Sequence, residues 1–370
     1  MTSHLAHGMR RGLMGPGHVR SLEAALGKRA GALTAVEKGQ ARANVDADLL
    51  TGMRNKLINL DFDIWQRGTS FIVSNAGTYT ADRWRASGST FAGAAIAASR
   101  QAFAAGQTAV PGNPSHFMRF DRSVANGGIH WIGQRIEGVR TLSGRRATAT
   151  FWAKGTVGKS VEVGIAQIFG TGGSAIRDTL LGTIALTSSW TKYTICAEIP
   201  SIASETIGSA NDAIDLLFRF PAAVGVVQLD LAHVSFVEGD ATAETDPSFP
   251  RHLAQELALC QRYFERIART YYSVGFARVT TGIESVLTFA RKRATPAVSA
   301  SDASTFRIFR QGAGGFQYNA GTSLALGAGG LDAIRFGLGI TDTTNIVAAD
   351  AAIIVDAGAG ASFVDIDAEL

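Results

Sequence analysis

The chain has 370 residues, 46% of them hydrophobic and 18% charged, with a formal net charge of +4. That is length for about two domains at roughly 100–200 residues each, with too much apolar content for a disordered polymer. The arginines are scattered rather than gathered into the clustered basic face of a nucleic-acid binder, so no nucleic-acid partner is expected.

Cys196 and Cys260, the two cysteines, cannot make a disulfide framework or a cysteine-based zinc site, and both read as small buried hydrophobes. No apolar run reaches the roughly 18 residues that span a bilayer, so no membrane insertion is expected. Residues 1–17 are rich in Gly, His and Arg and lack the apolar stretch of a secretory signal. Val19, Leu22, Leu26, Leu33 and Val36 then follow heptad-like steps, which predicts a short helix within 1–50. Gly27 and Gly31 weaken it by about 1 kcal/mol each. Such a helix either packs on its own domain or serves as a docking or self-association segment.

From Leu57 to about Gly239 the pattern turns to short strands. Residues 148–153, 160–165 and 190–196 alternate, and 213–220 and 226–236 are apolar and β-branched, with Gly and Asn/Asp clusters between them. Strands spaced this way, with no intervening helices of 10–15 residues, indicate an antiparallel sandwich. One helix is predicted over 251–267. Leu253, Leu257, Cys260, Phe264 and Ile267 step by 4, 3, 4 and 3, and Pro247 and Pro250 punctuate its start. It is too short for an isolated coiled coil, so it packs on a sandwich or lies where subunits meet. From Tyr271 onward, apolar runs at 286–289, 306–309, 334–338, 353–357 and 363–367 predict a second sandwich. The fold class is therefore all-β: two antiparallel, jelly-roll-like β-sandwiches joined by one helix, after a short helical N-terminal segment. The expected divisions are 1–50, 51–246, 247–268 and 269–370.

Three stretches resemble a known family. Asn55-Lys56-Leu57-Ile58-Asn59-Leu60-Asp61-Phe62-Asp63-Ile64-Trp65-Gln66-Arg67-Gly68-Thr69-Ser70, with Tyr79-Thr80-Ala81-Asp82-Arg83-Trp84, is similar to the opening strands of phage tail-fibre and receptor-binding (spike) proteins that carry a carbohydrate-binding-module-like jelly roll. Leu60 stands where the family has glycine. Residues 142–154 with 189–193 resemble that jelly roll's core strands. Residues 237–242 leading into 256–264 resemble its last strand and following helix. The resemblance covers about 55–267. It implies a virion protein that forms a homotrimer, attaches to other virion proteins through residues 1–50 and binds host surface polysaccharide. Oligomer contacts are expected at Val19, Leu22, Leu26, Leu33 and Val36, and at Leu253, Leu257, Cys260 and Phe264.

Catalysis is not expected. Asp61 with Asp63, and Asp365 with Asp367, have the spacing that sets two carboxylates about 7 Å apart on one strand face, which a glycosidase could use. Alternating Asp is more often a solvated face or a metal-binding edge. The histidines show no zinc spacing, and no phosphate loop, nucleophile elbow or fixed-period repeat occurs. Jelly rolls of the resembled kind often carry a structural calcium, for which Asp61, Asp63 and Asp230 are the candidate ligands. No other cofactor is expected. Trp65, Trp84, Trp152 and Trp190 read as core. Trp131, just after the Asn126-Gly127-Gly128 turn, reads as a glycan contact, as does a loop tip at Phe316, Gln317, Tyr318 and Asn319. The alternatives are a purely structural decoration or adaptor of the particle, and a polysaccharide depolymerase.

Overall fold

The structure, a computed structural model, describes residues 54–312, 315–327, 329–340, 351–358 and 360–370. The expected helical seam at Val19, Leu22, Leu26, Leu33 and Val36 lies outside the described residues.

Two six-stranded sheets form the first half of the described chain. One holds, in spatial order, β1 (Ser70–Ile72), β4 (Ala95–Ala102), β5 (His116–Val124), β12 (Val227–Glu238), β7 (Arg146–Gly155) and β10 (Thr191–Glu198). The other holds β2 (Thr78–Tyr79), β3 (Trp84–Gly88), β6 (His130–Glu137), β11 (Ala213–Phe220), β8 (Ser160–Ile168) and β9 (Arg177–Ala185). Their pairings are antiparallel, and the chain passes between sheets from β5 through β8, which gives the jelly-roll-like winding. The two-residue period decides what is buried. In β11, Ile214, Leu216, Phe218 and Phe220 enter the core, while Asp215 and Arg219 face out. Phe151 meets Phe218 edge-on at 4.9 Å, and Phe120 stacks on Phe220 at 4.7 Å, so rings from both sheets fill the middle. Truncating one such phenylalanine to alanine removes about 3–5 kcal/mol.

The second half packs a three-stranded sheet, β13 (Phe264–Ile267), β22 (Val364–Asp367) and β16 (Ala297–Ala300), against a seven-stranded one. The larger sheet is ordered β18 (Gly315–Ala320), β17 (Phe306–Gly312), β21 (Ala351–Asp356), β14 (Tyr271–Val279), β15 (Gly282–Thr288), β20 (Ala333–Gly339) and β19 (Ser323–Leu326). Ile267, Tyr272, Phe306, Phe336, Val364 and Ile366 lie in the core between them. Among the described residues, no helix is long and apolar enough to cross a membrane.

Helix α1 (Leu253–Gln261) is shorter than expected, and Phe264 and Ile267 belong to strand β13. The heptad reading fails because a polar residue anchors the buried side of α1. Glu256 accepts from the Asn59 N–H at 2.7 Å and from Arg251 Nη1 at 2.7 Å, and Cys260 follows one turn later. Cys260 and Phe264 are consequently buried within the chain, whereas Leu253 and Leu257 are exposed.

The residues of the sequence signature build this joint. Asn59, at φ 56°, donates to the carbonyls of Ile64 and Asp82 and accepts from the Ile64 N–H at 3.0 Å. The left-handed residues of this turn are Asn59 and Phe62, so Leu60 in place of glycine fits without strain. Trp84 Nε1 donates to the Asn59 carbonyl, and Gln66 links the Asp82 carboxylate to the Phe264 carbonyl. Arg67 lies 3.5 Å from the Phe264 ring centroid, and Arg83 lies 3.4 Å from that of Tyr263. Both arginines reach the carboxylate of Glu369.

Candidate functional site

The outward face of the sheet containing β6 carries Trp131. Along one register row the residues are Ser87, Trp131, Arg219, Glu162 and Thr183, contributed in turn by β3, β6, β11, β8 and β9. Trp131 is half-buried, and its recorded ring contact is Arg85, 5.7 Å from the centroid. Arg85 is itself anchored on the Ala76 carbonyl.

Two glycines flatten this face. A Cβ at Gly133 would lie 2.7 Å from Leu217 Cδ2, and one at Gly164 would lie 3.3 Å from Arg219 Nη1. Lacking those carbons, the face lets the Leu217 side chain and the Arg219 guanidinium lie flat, and the guanidinium reaches Asp178 and the Ile165 carbonyl. Beyond Glu162 and Thr183 the row opens into a shallow depression of about 540 Å³, bounded also by Lys159, Ser160 and Pro221. The result is a row in which the indole stands one strand from Arg219, two from Glu162 and three from Thr183, roughly 5, 10 and 14 Å away. Trp131 stands six residues before Glu137, which binds Arg262 at the joint.

The opposite sheet also carries aromatic residues on its outward face. There Phe103, Phe117 and Trp190 pack on one another, with ring centroids 4.8–5.1 Å apart. Lys154 Nζ is 5.1 Å from the Trp190 centroid, and Lys192 Nζ is 5.9 Å from that of Trp152. Trp152 also takes the His233 ring edge-on at 5.2 Å. The faces of these rings are already in use. Trp65 and Trp84 lie in the main core and Trp152 is buried in this smaller core cluster, as expected, while Trp190 is only half-buried against it. Cys196, expected buried, is only half-buried on β10.

Beneath the cluster is a buried polar network that sequence patterning did not predict. His233 occupies a bulge in β12 with φ 51°. Its Nδ1 is 2.6 Å from Asp61 Oδ1, and its Nε2 is 3.0 Å from Asp246 Oδ2 and 2.5 Å from Ser248 Oγ. Serine, histidine and aspartate in this order imitate a nucleophilic triad. The electrostatics differ: burial alone would lower the His233 pKa, but the Asp246 and Asp61 carboxylates outweigh it and raise it to about 9. With that pKa the ring carries its second proton near neutral pH, and Ser248 is fully buried.

Of the proposed metal ligands, Asp61 and Asp63 line one pocket, and each of the three has a partner within the chain. Asp230 is buried and held by Arg119 at 2.7 and 2.8 Å, Asp61 engages His233, and Asp63 lies 2.9 Å from His116. Among the described residues, no group of three or more His, Cys, Asp or Glu side chains is placed to hold a metal ion. Of the candidate catalytic carboxylates, Asp365 is taken by Arg266 and Asp367 by Arg67.

The expected loop tip at residues 316–319 is strand β18, paired with β17 as far as the Gly312–Gly315 position. Strand alternation puts Tyr318 on the outward face, exposed and 5.0 Å from Phe309, and turns Asn319 inward and buries it. The side chains of Phe316 and Gln317 lie outside the described residues. Trp131 is in strand β6 rather than in a turn, and its side chain is half-buried. Arg219, Glu162 and Thr183 were missed because nothing in the sequence shows which residues of β8, β9 and β11 share its row. The signal available was glycine at outward strand positions, at Gly133 and Gly164.

The sheets and cores define an all-β protein of packed antiparallel sheets. No protein-family model and no curated protein matches the chain. Solved structures match weakly. The enzymatically active domain of tailspike protein 4 from bacteriophage CBA120 is 12% identical over 51% of this chain and 22% of its own, with a TM-score of 0.32. This chain thus spans about a fifth of that domain's length. The family 11 carbohydrate-binding module of a Clostridium thermocellum cellulosomal cellulase is 12% identical over 46% of this chain and 95% of its own, at 0.30. A cyclase from Fischerella sp. TAU reaches 0.32 at 13% identity, over 49% of this chain and 94% of its own. Scores of this size carry no argument about function, and their proteins are as varied as a tailspike enzymatic domain, a carbohydrate-binding module and a cyclase.

Proposed function

We propose that the chain is a glycan-binding attachment subunit of a phage-like particle, present as a homotrimer and binding without turnover. The observation that carries the sugar reading is Trp131. Its half-buried indole shares a register row with Arg219, Glu162 and Thr183 on a flattened sheet face. Pyranose recognition uses an aromatic surface with hydrogen-bonding groups within reach of one sugar chain, and a half-buried indole in a row of polar side chains supports that reading. The crowded rings around Trp190 do not offer such a face. The virion setting rests on the signature residues 55–70 and 79–84. Binding without turnover is supported by His233, charged and walled in by two carboxylates, and by the cations that hold Asp365 and Asp367. Single sugar contacts are weak, and linked copies raise avidity by roughly 10²–10⁴.

A glycan array probed with the full chain, followed by a reducing-end assay on any polysaccharide it retains, tests this reading. Retention without release of reducing ends is expected. Retention of no glycan would leave a decoration or adaptor role, and release of reducing ends would make the protein a depolymerase.

A further inference from the structure

The outward face of the seven-stranded sheet is apolar across most of its width. One register row runs from Tyr318 on β18 through Phe309 on β17 and Ile353 on β21 to Val274 on β14. Val286 on β15 stands one step beyond the Gly275–Ser285 pair, opposite Val274, and pairs in turn with Arg335 on β20. Val274 is 71% exposed, Val286 63%, Tyr318 60% and Phe276, in the adjoining row, 54%. Scattered apolar residues are ordinary on a protein surface, whereas a contiguous band of this kind marks an interaction surface.

We propose that this face is covered by a second copy of the same chain. Three of the four charges on this face favour a like face over a charged partner, the fourth being Arg307, exposed on β17 in the adjoining row. Glu284 accepts from Arg278 at 2.8 Å and from Arg335 at 2.9 Å, so these three groups are already paired within the chain. Packing against an equal face leaves that trio intact and buries none of its charges unpaired, while an acidic or basic partner would compete with it. The size also suits. Seven strands about 4.8 Å apart and about 20 Å long span on the order of 600 Å². Two such faces together would remove on the order of 1,200 Å², the lower end of specific interfaces. The row has few hydrogen-bonding groups among its apolar side chains, which argues against a sugar as the occupant. A face that packs on its own like pairs two copies about a two-fold axis, so the inference goes beyond the proposed trimer and stands apart from the sugar-binding part of the proposed function.

Light scattering on the full chain, with no glycan present, tests it. The expected mass is a multiple of the single chain for the wild type and for Ile72→Glu, an exposed change on β1 far from this sheet. Val274→Glu combined with Val286→Glu is expected to give the single-chain mass with an unchanged circular dichroism spectrum. If the glutamates unfold the chain, serine at both positions provides the same comparison. A monomeric wild type, or a folded double variant that keeps the wild-type mass, overturns the proposal. Either outcome is separate from whether a glycan array retains the protein.

Discussion

Glu369 is buried against Arg83, whose own side chain is almost wholly enclosed. The guanidinium is sandwiched between that carboxylate and the Tyr263 ring, and Arg67 reaches the same carboxylate from the side of Phe264. Residues 367–370 thus tie the second sandwich to the opening strands of the first. Tyr79 and Arg135 extend the tie, both donating to the Leu370 main-chain oxygen.

Removing the Glu369 carboxylate leaves two buried cations without it. Glu369→Ala is expected to destabilise the chain by about 3–5 kcal/mol, the usual consequence of breaking one side of a buried pair. Urea unfolding followed by circular dichroism measures this. A loss below about 1 kcal/mol would show the pair to be peripheral.

The His233 network sets a pH window. A histidine whose pKa rises from 6.5 to about 9 on folding contributes stability that is fully present below about pH 6.5 and lost as pH climbs through 9. The contribution is up to about 3 kcal/mol. Asp246 acts at the other end. Burial would raise its pKa, but the bond to His233, the imidazolium charge and Ser248 together lower it to about 2, so its contribution fades as pH falls from about 4 toward 2. Melting temperature is expected to fall between pH 6.5 and 9 in the wild type and to stay flatter there in His233→Gln. Parallel pH profiles for the two proteins would contradict the assignment.

The three aspartates suggested as calcium ligands are committed to Arg119, His233 and His116. Melting temperatures in EDTA and in excess calcium are therefore expected to coincide. A rise of several degrees with calcium would mean that a cation site exists elsewhere in the chain.

Much of this fold was legible because strand periodicity is a local signal. Residues 213–220 read as an apolar, β-branched run and form β11 with those same bounds. Helix α1 was read too long because Leu253, Leu257, Cys260 and Phe264 keep heptad spacing by coincidence. The buried position is fixed by Glu256, whose partner Asn59 lies 197 residues away. The row beside Trp131 depends on the register among strands β6, β11, β8 and β9, and the His233 network on a bulge. Neither leaves a mark within any one segment.

The two aromatic faces are expected to respond differently to truncation. Trp190→Ala opens a gap among Phe103, Phe117 and Lys154, so it should lower stability by about 2–3 kcal/mol and leave glycan affinity unchanged. Unfolding curves and binding titrations on the same sample separate the two effects. A loss of affinity with unchanged stability would move the binding face to the Trp190 cluster.

The most direct test of the binding face is calorimetric titration of Trp131→Ala with a glycan the wild-type chain retains. The ring does little for the core, so the melting temperature should hold while affinity falls roughly tenfold or more, as for other central aromatic contacts. Wild-type affinity in the folded variant would mean that this face does not carry the sugar.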